Sequence, residues 1–189
     1  MARLQKFLNI ISFALRVVLA IAFACVLIWF VVLSDRGDRQ VLQGQARIID
    51  GDSIEISDTK IRLVGIDAPE LDQECDKKGR NWKCGQEAKS ALSMFVANQV
   101  ISCESQGLDK YRRVLGNCSV RGRNLGKWMV TNGWAVSFGD YSFDEAIARR
   151  NKFGIWQGSF EKPQDWRRRS GVIDGHVDPM NWLCGSFGN

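Results

Sequence analysis

The sequence predicts a mainly β domain with added helices (α+β), carried behind one N-terminal membrane-spanning helix. Three observations predict it. Short β-rich runs joined by turn residues occupy the middle of the chain. Amphipathic helical patterns follow and interrupt them. A wholly apolar run, "VVLAIAFACVLIWFVVL" (17–33), precedes them.

The elements are taken in order. Spanning a bilayer takes about 20 residues at ~1.5 Å each. Residues 13–33 supply that length if Arg16 snorkels toward the headgroups. Ala22-Phe23-Ala24 matches a small-x-small cleavage site, but a cut there leaves a still apolar new terminus, so an uncleaved anchor is the reading. Basic residues on the two sides nearly balance and do not orient the helix. Five of the six cysteines lie beyond it, at 75, 84, 103, 118 and 184, which suits an oxidising compartment. The expected layout is a cytoplasmic 1–12, a transmembrane 13–33, a polar linker 34–44, a folded domain 45–170 and a tail 171–189, with the folded part periplasmic or extracellular.

The domain opens with "ARIID-GD-SIEI" (46–56), two β-rich runs around an Asp-Gly turn, and "KIRLVGI" (60–66) is a third strand. A helix over roughly 86–98 puts Ala88, Ala91, Leu92, Phe95 and Val96 on one face. "VISCES" and "RVLGNCSV" read as two strands joined by the polar loop "QGLDKYR". A short helix with Leu125, Trp128 and Met129 inward stops at Gly133, and a last helix runs from a Ser142–Glu145 capping box to Gly154. Five strands with about three helices between and after them point to a small barrel of the OB type.

The formal charge of +5 overstates any nucleic-acid footprint. Three basic and no acidic residues precede residue 34, so the remainder carries 23 basic against 21 acidic groups. Local clusters must therefore carry that argument. Three exist: Asp50-Gly51-Asp52, the stretch from Arg62 to Glu70, and "DKYRR" (109–113). Each alone has an ordinary structural reading as a hairpin turn, a paired strand arginine or a solvated loop. Together they supply hard oxygen donors for a divalent cation, a carboxylate to activate water and two guanidinium groups for a phosphate.

The motifs "IIDGDSIEI", "IRLVGIDAPE", "DKYRR" and "LGKWMVTNGWA", followed by a helix ending "GIW", make the span from about 46 to 156 resemble the staphylococcal nuclease (thermonuclease) family. The resemblance implies Ca²⁺-dependent cleavage of DNA or RNA, with single strands preferred. It implies Ca²⁺ ligation by the Asp52 and Asp67 carboxylates and the Ala68 backbone carbonyl, with Asp50 behind them. Glu70 matches the glutamate that assists attack of water. Arg62 and Arg113 match the arginines that bind the scissile phosphate, and Lys110 and Tyr111 match positions contacting a nucleotide phosphate. Arg112 stands where glycine is common, and it either perturbs the loop aiming Arg113 or adds a phosphate contact. Phe138 and Tyr141 are candidates to stack on a base.

Further features lie outside that resemblance. Cys103 and Cys118 fall on adjacent strands flanking "DKYRR", and Cys75 and Cys84 bracket a basic insertion, so two disulfides are expected. Cys184 is then left over, and His176 is a lone histidine in a polar tail. "DWRRR" (165–169) reads as a solvated basic face, with phosphate or anionic lipid contact as the alternative. The competing function is a membrane-tethered OB-type module that binds nucleic acid or protein without cutting.

Overall fold

The computed structural model describes residues 15–30, 40–173 and 176–177, and the chain divides into two units, residues 1–39 and 40–189. In the first, residues 15–30 form helix α1, with exposed side chains. Among the described residues no helix is long and apolar enough to cross a membrane. The rest of the expected span, residues 13, 14 and 31–33, lies outside them, as does Cys184.

The second unit is built around one curled sheet. Strand β1 (Val41–Gln45) is separated from β2 (Arg47–Ile48) by Ala46 alone. After the Asp50-Gly51 turn come β3 (Ser53–Ile56), β4 (Thr59–Leu63) and β5 (Ile66–Asp67). A hairpin of β6 (Cys75–Lys77) and β7 (Arg80–Trp82) leads into helix α2 (Cys84–Val96). Strands β8 (Val100–Leu108), β9 (Val114–Val120) and β10 (Arg123–Asn124) follow, then α3 (Leu125–Thr131) and β11 (Val136–Ser137). Helix α4 (Ser142–Asn151), a 3₁₀ turn (Gly154–Gln157) and α5 (Pro163–Ser170) come next, and β12 (Val172–Ile173) pairs with β13 (His176–Val177).

The sheet runs β1-β8-β9-β4-β3-β2, with β10 added beside β9; every pairing is antiparallel except β4 with β9. Its two ends, β1 and β2, belong to one segment of chain, so the sheet curls round on itself. This is the mixed α+β, OB-like arrangement expected. The core within the curl joins Ile54, Ile61, Leu92, Ile101, Leu125 and Met129, all fully buried. Burying each such side chain contributes about 1.5–3 kcal/mol.

Four expectations need correction. Strand β1 begins inside the segment read as linker, because its backbone completes β8 from Val41↔Glu104 to Gln45↔Val100. The third strand breaks at Gly65, whose φ of +77° turns the chain so that Ile66–Asp67 pairs with β11 instead. The capping box does not form: Tyr141 is the N-cap residue and Glu145 Oε2 accepts from the Ser137 amide. There are four helices in this unit rather than about three among the described residues, because α5 was not anticipated.

Candidate active site

Asp52 sits at the exit of the β2–β3 turn and Arg62 one residue before the end of β4, where Ser53 pairs with Arg62 across the ladder. This register brings the guanidinium onto the aspartate. Arg62 Nη1 donates to Asp52 Oδ1 at 3.1 Å, and Nη2 lies 3.0 Å from Asp52 Oδ2 and 2.9 Å from Asp67 Oδ1. Asp52 also accepts from the Ser53 hydroxyl at 3.0 Å and the Ala68 amide at 3.1 Å. The strand arginine is thus compensated by two carboxylates whose side chains are only 5% exposed. Its affinity for its proton rises, chiefly through Asp52.

Asp50 braces the turn by accepting from the Asp52 amide at 2.9 Å. Burial, reinforced by the nearby charges of Asp52 and Glu70, pushes its carboxyl up to about 7. Burial also raises Asp67 and Glu70, against the downward pull of Arg167.

Glu70 follows β5 in a turn that α2 locks from behind. A Cβ added at Gly85 would lie 1.7 Å from the Glu70 carbonyl oxygen, so only glycine allows α2 to begin so close to it. The fully buried Gln73 accepts from the Glu70 amide at 3.2 Å and donates to the Glu161 carbonyl at 2.7 Å. That second bond ties the Glu70 turn to the segment leading into α5.

Arg167 of α5 completes the cluster. Its Nη1 donates to Asp67 Oδ1 at 2.9 Å and to Glu70 Oε1 at 2.7 Å, and its Nη2 to Asp67 Oδ2 at 3.2 Å. Those two carboxylates raise its proton affinity despite burial. The reading of "DWRRR" as a solvated face therefore fails for Arg167. It holds for Arg168 and Arg169, which pair with Asp165 and Glu161 at the surface. The helix itself had legible signals: Pro163 at its start, Asp165 in the first turn, arginines in the last and Gly171 at φ +63° beyond it. Its target, about a hundred residues earlier in the chain, had none.

The opposite wall comes from the β8–β9 loop. Asp109 accepts from the Tyr111 and Arg113 amides, both at 2.9 Å, and from Arg113 Nε at 2.7 Å. Burial works upward on Asp109, but these bonds and the Arg113 charge together hold it below the usual carboxylate range. Lys110 Nζ lies 4.6 Å from the centre of the Tyr111 ring. Arg112 takes φ +65°, a left-handed conformation that favours glycine, with its amide donating to the Asp109 carbonyl at 3.0 Å. Asp109 closes this turn and aims Arg113. Beneath the loop Cys103 pairs with Cys118 across the ladder in a disulfide, and a second disulfide joins Cys75 to Cys84.

Between the walls lies a cleft of about 690 Å³, lined by Arg62 and Asp67 on one side, Lys110, Tyr111 and Arg113 on another, and Arg167 from α5. Phe138 also lines it and is 67% exposed, whereas the Tyr141 hydroxyl is tied to Asn124 at 3.2 Å and its ring packs against the core. The expected residues Arg62, Asp67, Lys110, Tyr111 and Arg113 therefore face one space, with Asp50, Asp52, Ala68 and Glu70 just behind it.

All-oxygen donors suit a hard divalent cation, and Asp52 and Asp67 converge on one Arg62 nitrogen. Among the described residues no group of three or more His, Cys, Asp or Glu side chains is arranged to hold a metal. A site here would thus rest on two carboxylates, the Ala68 main-chain oxygen and water.

A curled sheet with paired guanidinium and carboxylate groups over a cationic cleft defines a class of phosphate-handling domain. Comparison with known proteins makes the class specific. The family described as staphylococcal nuclease homologue matches residues 60–158. The succinoglycan biosynthesis protein ExoI of Rhizobium meliloti (strain 1021) is 37% identical over 135 residues, 67% of this chain and 71% of that protein. An uncharacterized endonuclease of Escherichia coli is 31% identical over 153 residues, 75% of this chain and 91% of that protein. A probable staphylococcal-like nuclease of Oryza sativa subsp. japonica is 28% identical over 124 residues, 62% of this chain and 23% of that protein. The chain belongs to the staphylococcal nuclease homologue family.

Proposed function

We propose that this chain is a Ca²⁺-dependent nuclease that hydrolyses phosphodiester bonds of DNA or RNA, single strands preferentially, outside the cytoplasm, anchored by its N-terminal helix. The observation that carries the reading is the cleft itself. Two guanidinium groups from separate elements, Arg62 of β4 and Arg113 of the β8–β9 loop, line one space beside Asp67 and Glu70.

Asp52, Asp67 and the Ala68 carbonyl would hold the cation, which supplies charge to polarise a phosphoryl oxygen. Glu70 accepts a proton from the attacking water, its carboxyl being raised toward the range useful for a base. Arg62 and Arg113 donate to the phosphoryl oxygens and take up the charge that grows as water adds. Lys110 and Tyr111 steady a neighbouring phosphate, and the exposed Phe138 ring offers a face to a base. Membrane attachment is supported by the apolar run at 17–33, and an exported location by the two disulfides.

The test uses the full chain in detergent, with single- and double-stranded DNA and RNA, with Ca²⁺ or a chelator, beside Glu70→Gln. Metal-dependent cleavage that falls at least about a hundredfold in Glu70→Gln is expected. Binding without cleavage would leave the second reading, a non-catalytic module, which the Arg167–Glu70 contact favours. Retention of the chain in membranes after alkaline extraction tests the anchor.

A further inference from the structure

We propose that Arg167 is a built-in competitor for the cation: it occupies Asp67, with Glu70 beside it, until a hard divalent cation displaces it from Asp67, and so sets how tightly the site takes that cation. The inference rests on the metal-bearing reading of the site above.

Acceptor capacity is the first ground. An ionised carboxylate offers about four lone-pair positions. Asp52 is met by Arg62 twice, by Ser53 and by the Ala68 amide, so it is filled. Asp67 receives Arg62 once and Arg167 twice. Asp67 has one position left, so a cation there would share the carboxylate with two guanidinium charges unless one leaves, and the two arginines are not equally removable. Arg62 projects from a strand paired on both sides, with β3 and with β9. Arg167 stands in a short helix outside the sheet.

Position is the second ground. Asp67 is 5% exposed, Glu70 12% and Arg167 21% at the side chain, so the guanidinium covers the carboxylates from the solvent side. Arg167 lies one helical turn after Pro163, which is fully buried, and the Gln73–Glu161 bond fixes the chain just before it. The base of α5 is thereby anchored while its long side chain can swing. On leaving, the guanidinium stays in the cleft it already lines, opposite Arg113. Residue 167 also falls beyond the 60–158 span that matches the family.

The test measures Ca²⁺ binding by calorimetry on the chelator-treated full chain in detergent micelles at one fixed pH. Arg167→Met keeps the aliphatic stem and removes the competing donors. Its Kd for Ca²⁺ should fall at least about tenfold, as expected when charge-assisted hydrogen bonds no longer have to be broken. Arg167→Lys, which keeps the charge without the fork, should fall by about threefold. Arg168→Met removes a charge from the same helix and cleft without touching the carboxylates, and should change Kd less than about twofold.

A merely structural role for Arg167 predicts the opposite sign, since loosened carboxylates bind Ca²⁺ more weakly. Melting gives a second readout: calcium-free Arg167→Met should melt below the parent chain, yet gain more in Tm on adding Ca²⁺. Should Arg167→Met not fold, Arg167→Lys decides. Unchanged or weaker binding in the Arg167 variants overturns the competition alone. Equal tightening in Arg168→Met also overturns it, leaving only a general field effect. Absence of Ca²⁺ uptake by both the parent chain and the variants overturns it together with the metal-bearing reading.

Discussion

The two walls of the cleft hold their charges in opposite ways. On the sheet wall, Arg62 is fixed by two carboxylates from separate elements, Asp52 at the entry to β3 and Asp67 in β5. On the loop wall, Arg113 is gripped by Asp109 of its own turn, while Lys110 and Tyr111 stand exposed. The sheet wall gains geometry by burying charge against charge. The loop wall keeps its cations turned to the cleft and takes its stiffness from a disulfide beneath. Both walls aim an arginine with carboxylates, from other elements on one and from the same turn on the other, and only the loop wall adds a disulfide.

Substitutions can break that contrast. The largest effect is expected from Arg62→Ala, which leaves Asp52 buried without its guanidinium and Asp67 with Arg167 alone, and should cost about 3–5 kcal/mol in urea unfolding. Arg113→Ala should cost less, about 1–2 kcal/mol, because Asp109 keeps the Tyr111 and Arg113 amides, although both variants should lose cleavage by at least about a hundredfold. Equal destabilisation would erase the distinction between the walls. Next, replacing Cys103 and Cys118 together by alanine should cost about 3 kcal/mol in thermal unfolding, the value expected for a loop of this size.

Asp50 sharpens the same comparison through pH. Its carboxyl in the folded chain, at about 7, lies above the ordinary 3.8, so folding favours the protonated form. The stability this confers is complete below about pH 4 and is lost as pH rises through 7. Asp50→Asn, which keeps an oxygen for the Asp52 amide, should therefore exceed the parent chain by about 2 kcal/mol at pH 8 in chelator. At pH 4 the two should unfold alike. The smallest effect is expected on the loop wall, where Arg112→Gly relieves a left-handed φ and should stabilise by about 1 kcal/mol. Cleavage should stay within about twofold of the parent chain, because Asp109 aims Arg113 whichever residue lies between.

Much of this was legible in the sequence because it is local. Alternation and the Asp-Gly turn place β2 to β4, and the spacing from Arg62 to Glu70 is short enough for motif reading. Cys103 and Cys118 face each other because two strands flank one loop. What escaped was long-range or depended on a turn. Gly65 reads as any strand glycine until its positive φ redirects Ile66–Asp67 to β11. Val41–Gln45 alternates too weakly to look like a strand, and its order comes from β8. Arg167 reaches Asp67 only because Gln73 and Pro163 fold α5 back, and no local pattern encodes that contact.

Gln73 carries one more consequence. It is wholly buried, and its amide joins the Glu70 turn to Glu161, which lies outside the 60–158 span that matches the family. Cutting the chain at that boundary would strip Gln73 of its acceptor and Asp67 and Glu70 of their arginine. The unit held together by these contacts therefore runs past the span that matches the family and on through α5 to Ser170.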